Sequence, residues 1–231
     1  MRVLAGLLVL SCLAVPAASA QAALPAIDPS DYVARVTNSW FPLKPGTVYV
    51  YRGVKDGKTS RDVVTVTRGT KMIQGVRTTV VSDRLFLAGR LEERTTDWYA
   101  QDKRGNVWYF GEATAELDRK GRVTSTEGSW QAGADGARAG IYMPGQPRIG
   151  QSGLQEFYRG HAEDHFRVVS FSAAVRVPFV ATTHALLTEE WTPLEPSVLD
   201  HKYYVDGIGV VKEASVKGPR ETGLLVAMRS P

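Results

Sequence analysis

In His161-Ala162-Glu163-Asp164-His165, two imidazoles and a carboxylate recur at every second position. Alternation along a strand would put His161, Glu163 and His165 on one face, where they could meet a single ion with His201 or His184 as a fourth ligand. Same-face neighbours in a strand stand roughly 6.5 to 7 Å apart along it, which suits joint ligation by His161 and His165 poorly. A helix would place those two one turn apart and turn Glu163 off their face. Solvated polar residues at a strand edge are the simpler reading. No metal is expected, and His161, Glu163 and His165 stand as the alternative.

Carboxylate pairs for acid and base catalysis could be drawn from Glu189 with Glu190, Glu92 with Glu93, or Asp97 with Glu112. Neighbours in a strand point to opposite faces, so neither glutamate doublet is a pair. Asp97 and Glu112 lie near the open end of a hairpin and could approach each other among aromatic rings, the one arrangement suited to glycoside chemistry. Two surface carboxylates at a sheet rim are the simpler reading, so no catalytic residue is assigned. Gly53-Val54-Lys55-Asp56-Gly57-Lys58-Thr59 is one residue short of a phosphate-binding loop and joins strand to strand. Gly150-Gln151-Ser152-Gly153 has its second glycine misplaced for a nucleophile elbow, and Asp135-Gly136 is too sparse for calcium.

The aromatic residues carry more. Asp97 to Glu112 reads as a hairpin turning at Asp102-Lys103-Arg104-Gly105, with the glycine supplying the positive φ. If Asp102 faces Asn106, Ala100 lies opposite Trp108 and Trp98 opposite Phe110 on one face. On the other, Gln101 faces Val107 and Tyr99 faces Tyr109. Neither face is plainly wet, which places the hairpin within a curled sheet, one face on the core and the other against a helix, a loop or a lined cavity. Trp98, Tyr99, Trp108, Tyr109 and Trp130 are therefore the candidate ligand-binding residues, suited to stacking on a sugar or contacting a lipid.

The flanking segments must hold that hairpin. Asp28-Pro29-Ser30-Asp31 has the capping pattern of a short helix reaching about Val36. Strands are expected at 47–52, 61–67, 76–87 and 90–101, and again at 113–117 and 122–126. The last third adds 154–158, 162–171, 175–180, 183–191, 208–216 and 222–228. Residues 128–153, rich in glycine around Trp130, Ile141 and Met143, read as a functional loop or lid. Hairpin-length connections and roughly twelve strands argue an all-β, antiparallel, strongly curved sheet with one short N-terminal helix.

Arg2 followed by the apolar run 3–15 and by Ala18-Ser19-Ala20 reads as a secretory leader over 1–20, cleaved near Ala20. Residues 21–27 are then a linker and 28–231 a single β domain. The expected location is secreted or periplasmic, with no transmembrane segment in the mature chain. The one cysteine, Cys12, falls in the leader and raises a lipoprotein alternative. Without it the mature chain has neither disulfide nor thiolate chemistry. A formal charge of +4 comes from scattered lysines and arginines, with no basic stripe for nucleic acid.

The phrases at 41–47 (FPLKPGT), 97–102 (DWYAQD), 105–112 (GNVWYFGE), 190–196 (EWTPLEP) and His201-Lys202-Tyr203-Tyr204 with 207–211 (GIGVV) resemble a family of secreted bacterial proteins of unassigned function. The last phrase is also similar to the closing hairpin of curled-sheet envelope proteins related to lipoprotein carriers. That likeness implies a half-open barrel with an apolar concave face and brings no catalytic residue with it. The leading functional reading is a non-catalytic binder of a small apolar or amphiphilic ligand, without cofactor. An envelope interaction or structural module comes second, and a hydrolase third. An enclosed pocket favours the first, and a filled interior with a flat apolar outer patch the second.

Overall fold

The computed structural model describes residues 26–231, so the expected leader and Cys12 lie outside the described residues. Asp28 caps the first turn as expected, its Oδ1 accepting from the Ser30 amide at 2.9 Å with Pro29 at the first position. The expected helix is only a 3-10 turn, Pro29–Asp31, which β1 (Tyr32–Val33) ends at once by pairing with Gln101 and Asp102. That pairing brings the Tyr32 ring edge-on to Trp108 and Phe110, a burial a helix through Val36 would forgo.

The next strands form a long meander: β2 (Val48–Lys55), β3 (Lys58–Ile73), β4 (Val76–Leu87), β5 (Arg90–Asp102) and β6 (Val107–Leu117). Residues 128–153, far from being an open lid, carry strands. After β7 (Val123–Ser125), β8 (Trp130–Gln131) and β9 (Arg138–Met143) both pair with β6, burying Trp130, Ala139 and Met143. Then follow β10 (Ser152–Leu154), β11 (Glu156–Phe157), β12 (His165–Arg176), β13 (Ala181–Trp191), β14 (Leu199–Val205), β15 (Gly209–Lys217) and β16 (Thr222–Arg229). All pair antiparallel in one sheet running β10-β12-β13-β14-β15-β16-β2-β3-β4-β5-β6-β9-β11, with β1 on β5 and β7 and β8 on β6.

The two ends of that path, β10 and β11, are separated in sequence by Gln155 alone. The edges must therefore meet, and the sheet curls into a nearly closed barrel with one seam. Gly140 in β9 makes the approach feasible, since a Cβ there would lie 2.5 Å from the Leu154 carbonyl oxygen.

Residues 34–47 reach across one end of this barrel. Gln101 Oε1 accepts the amides of Thr37 and Asn38 at 2.7 and 2.8 Å, and Asn38 Nδ2 donates to the carbonyls of Gly105 and Pro144. Asn38 Oδ1 takes the Trp40 amide, and on the far side the Gly207 amide donates to the Ser39 carbonyl. Asn38 thus pins the segment to the β5–β6 turn and to the residues after β9. Asn38→Ala would strand three backbone groups and is expected to lower stability by about 2 to 4 kcal/mol, read as a lower urea midpoint at unchanged slope.

Candidate functional site

The hairpin of β5 and β6 has the expected register: Gln101 pairs with Val107, Ala100 with Trp108 and Tyr99 with Tyr109, and Gly105 has φ 85°. One residue further the pairing shifts, because Phe110 and Gly111 together oppose Trp98 as a β-bulge, Gly111 taking φ 125°. In a regular ladder Asp97 would have faced Gly111, leaving Glu112 on the opposite face. The bulge pairs Asp97 with Glu112 and brings both carboxylates to the concave side.

Each face of the hairpin is buried. On the convex side Trp98 lies under the Lys71 ammonium, 3.3 Å from the ring centroid, and Trp108 under Tyr32. On the concave side Tyr99 stacks on Tyr109 at 4.7 Å, and Trp130 meets Tyr109 edge-on at 5.4 Å. Of the five candidate aromatics, Tyr99 alone lines the open-ended cavity inside the barrel. Tyr109 and Trp130 stand behind it, and Trp98 and Trp108 face away.

That cavity measures about 340 Å³. Its aromatic end is built by Phe41, whose ring lies 5.2 Å from Tyr99 and 4.5 Å from Tyr142 of β9, with Tyr49 and Tyr51 of β2 on the adjoining wall. Tyr51 donates to the Val210 carbonyl and Tyr49 to that of Pro42, so both hydroxyls are engaged. Gly53 lets β2 pair closely with β16, since a Cβ there would come within 1.7 Å of the Thr222 carbonyl oxygen.

The concave face is not the apolar surface implied by the lipoprotein-carrier likeness. On adjacent strands Asp62 (β3), Asp83 (β4), Glu93 and Asp97 (β5) form an acidic wall. Asp97 is nine-tenths buried, and its Oδ1 accepts the Tyr109 hydroxyl at 2.7 Å. Burial above all, reinforced by Asp62 and Glu93, raises its carboxyl to about 7 despite that hydrogen bond. Glu112 is likewise raised to about 7, by burial first and the Asp97 charge second. Asp83 is pushed well above the carboxylate range, by burial first and then by Asp62 beside it.

Across the cavity a buried cation faces two carboxylates. Lys202 of β14 sits 2.7 Å from Glu190 Oε2 and 3.7 Å from Glu213 Oε1. Burial alone would lower the lysine, and these carboxylates hold it well above its usual value instead. Glu190 Oε1 also accepts from Thr188 and Tyr204. Its neighbour Glu189 points outward to Arg167 and His201, the opposite-face arrangement that alternation requires. Sequence reasoning singled out neither Lys202 nor Phe41 and Tyr142. Tyr142 was hidden because 138–143 read as loop, although its alternation with Ile141 and Met143 was a strand signal.

The histidine cluster does not assemble. His161 stacks on Tyr158 at 4.4 Å and His165 on Trp191 at 5.4 Å, while Glu163 accepts the Gly160 amide. Only His165 belongs to a strand. Among the described residues no three His, Cys, Asp or Glu side chains are placed to hold a metal ion.

No known family profile and no curated protein matches the chain. Two crystal structures resemble it. One is a protein of Bacteroides fragilis with a YmcC-like fold, provisionally classed as exported, with TM-score 0.48, 14% identity and coverage of 84% of this chain and 100% of its own. The other is a protein of Parabacteroides distasonis provisionally classed as a lipoprotein, with TM-score 0.43, 10% identity and coverage of 83% and 99%. Neither likeness bears on function. Among the described residues no helix is long and apolar enough to cross a membrane.

The raised carboxyls fix the direction of the pH dependence. Asp97 binds its proton more tightly folded than unfolded, so its contribution is complete below about pH 4 and is lost as pH rises toward 7. The folded chain is expected to melt at a higher temperature at pH 5 than at pH 8. Asp97→Asn, which still accepts from Tyr109, should raise stability at pH 8 by about 1 to 3 kcal/mol and leave it nearly unchanged at pH 4, as urea titrations at the two pH values would show.

Proposed function

We propose that this chain is an exported, non-catalytic binding protein that holds a small amphiphilic ligand inside its curled sheet. The observation that carries this is the cavity of about 340 Å³, within the size range of small-molecule sites, with rings at one end and charged groups along its walls. A ligand with an apolar part would meet Phe41, Tyr99 and Tyr142, three rings within 5.3 Å of one another by centroid distance, and Tyr109 and Trp130 would stiffen them from behind. Polar walls favour an amphiphile over a wholly apolar molecule. Export rests on the sequence of residues 1–20.

A glycoside hydrolase is the less favoured reading. It would need Asp97 and Glu112 to flank a substrate, and of the two only Asp97 lines the cavity. An interaction module would not require an open interior. Native mass spectrometry of the protein purified from its own host is expected to show a bound small molecule. Val64→Phe, which fills the cavity from a half-buried position in its wall, should remove that molecule without changing the circular dichroism of the sheet. A wild-type protein that carries only its polypeptide mass would overturn the proposal.

A further inference from the structure

Basic overall, the chain gathers acid inside. Its formal charge is +4, yet Asp62, Asp83, Glu93 and Asp97 share one wall of the cavity, and Asp200 and Glu213 stand on another. The only cationic side chains in the lining are Lys55 and Lys202. Lys202 is already held between Glu190 and Glu213, and neither lysine forms an ion pair with the acidic wall. Several of these oxygens have no protein donor. Asp62 Oδ1 and Asp200 Oδ1 are both buried without a hydrogen bond among the described residues. Asp97, nine-tenths buried, uses Oδ1 on Tyr109 and leaves Oδ2 for the cavity.

Carboxylates crowded on one wall without cations, Asp97 buried and Asp62, Asp83 and Glu93 half-buried, repel one another in an empty site and are relieved when a cation enters. The four carboxylates of the acidic wall are spread over three strands and do not converge on a point, a geometry for a diffuse organic cation and not for a compact metal ion. The rings at the end of the cavity add the second half of the recognition, because aromatic faces attract ammonium groups and also accept a hydrocarbon tail.

We infer that the ligand is an organic ammonium compound with an apolar portion, its cationic head against Asp62, Asp83 and Asp97 and its tail against Phe41, Tyr99 and Tyr142. This rests on the binding function proposed above and specifies its ligand class. Binding of the head displaces the protons held on the acidic wall, so affinity rises from pH 5 to pH 8. The groups that face Asp97 and set this dependence are Asp62 from β3, Asp83 from β4, Glu93 and Tyr99 beside it on β5, Tyr109 and Glu112 from β6, and Tyr142 from β9.

The test uses three probes that share one tail, decylamine, decanol and decanoate, titrated calorimetrically into the full mature chain at pH 8. Decylamine is expected to bind about tenfold or more tightly than decanol, with proton release, and decanoate not at all. The double variant Asp83→Asn/Asp97→Asn relieves repulsion in the free protein and should fold. It should bind decylamine no better than decanol. Equal binding of decylamine and decanol to the wild type, preferential binding of decanoate, or binding of none of the three would overturn this inference. The binding function itself falls only if the host-purified protein is bare, so the two failures are distinguishable.

Discussion

A carboxylate withdrawn from water has to be met by a cation, a donor or a proton, and the inner face of this barrel applies all three solutions in turn. Lys202 serves Glu190 and Glu213, with Thr188 and Tyr204 completing the set around Glu190. Tyr109 serves Asp97. Asp83, crowded by Asp62, is driven toward its protonated form. The sheet must curl for these groups to face one another at all, and the curl follows from the single residue between its two terminal strands. Closure of the backbone and concentration of charge are therefore one event. Every strand that completes the barrel adds its inward side chains to one shared volume.

The stacked tyrosines link the two halves of that interior. Tyr99 and Tyr109 bind the hairpin into the core, while the Tyr109 hydroxyl reaches the acidic wall. The segment 34–47 presses Phe41 onto Tyr99 and is anchored through Gln101, one position along the same face of β5. The end of the barrel, its aromatic lining and its first buried carboxylate thus depend on one stretch of β5, from Asp97 to Gln101. A change there is transmitted to the cavity through packed rings, not through a flexible loop.

Much of the scaffold was legible in the sequence. Gly105 and Asp102 fixed the turn, and strict alternation from it gave the pairs Tyr99–Tyr109 and Ala100–Trp108 and the burial of both faces. The 76–87 strand was readable to its ends from Val and Thr content. Other features were hidden for physical reasons. The bulge at Phe110–Gly111 reassigns Glu112 to the inner face, and alternation cannot detect an inserted residue. Asp62, Asp83 and Glu93 alternate with residues of the other face just as solvated acids do, so the pattern reports two faces without saying which is wet. The cap at Asp28 was correct, but a capping pattern carries no information about the strand pairing that cuts the helix short at Tyr32. Glycines between 128 and 153 suggested freedom, whereas Gly140 and Gly145 serve close approach, to the seam and to the turn at Arg104 and Gly105.

The brevity of the strands at the seam has a colloidal consequence. Unpaired sheet margins recruit strands from neighbouring molecules, and long flat ones seed fibrils. Here the hydrogen-bonded path ends in segments of three and two residues, and these lie beside each other in the chain. Such stubs offer too few free amides and carbonyls to template an incoming strand. That protection belongs to the stubs themselves: β12 behind the first of them runs from His165 to Arg176 and is covered by β10 over His165–Arg167 only, so its remaining margin is where a crowded neighbour would add a strand.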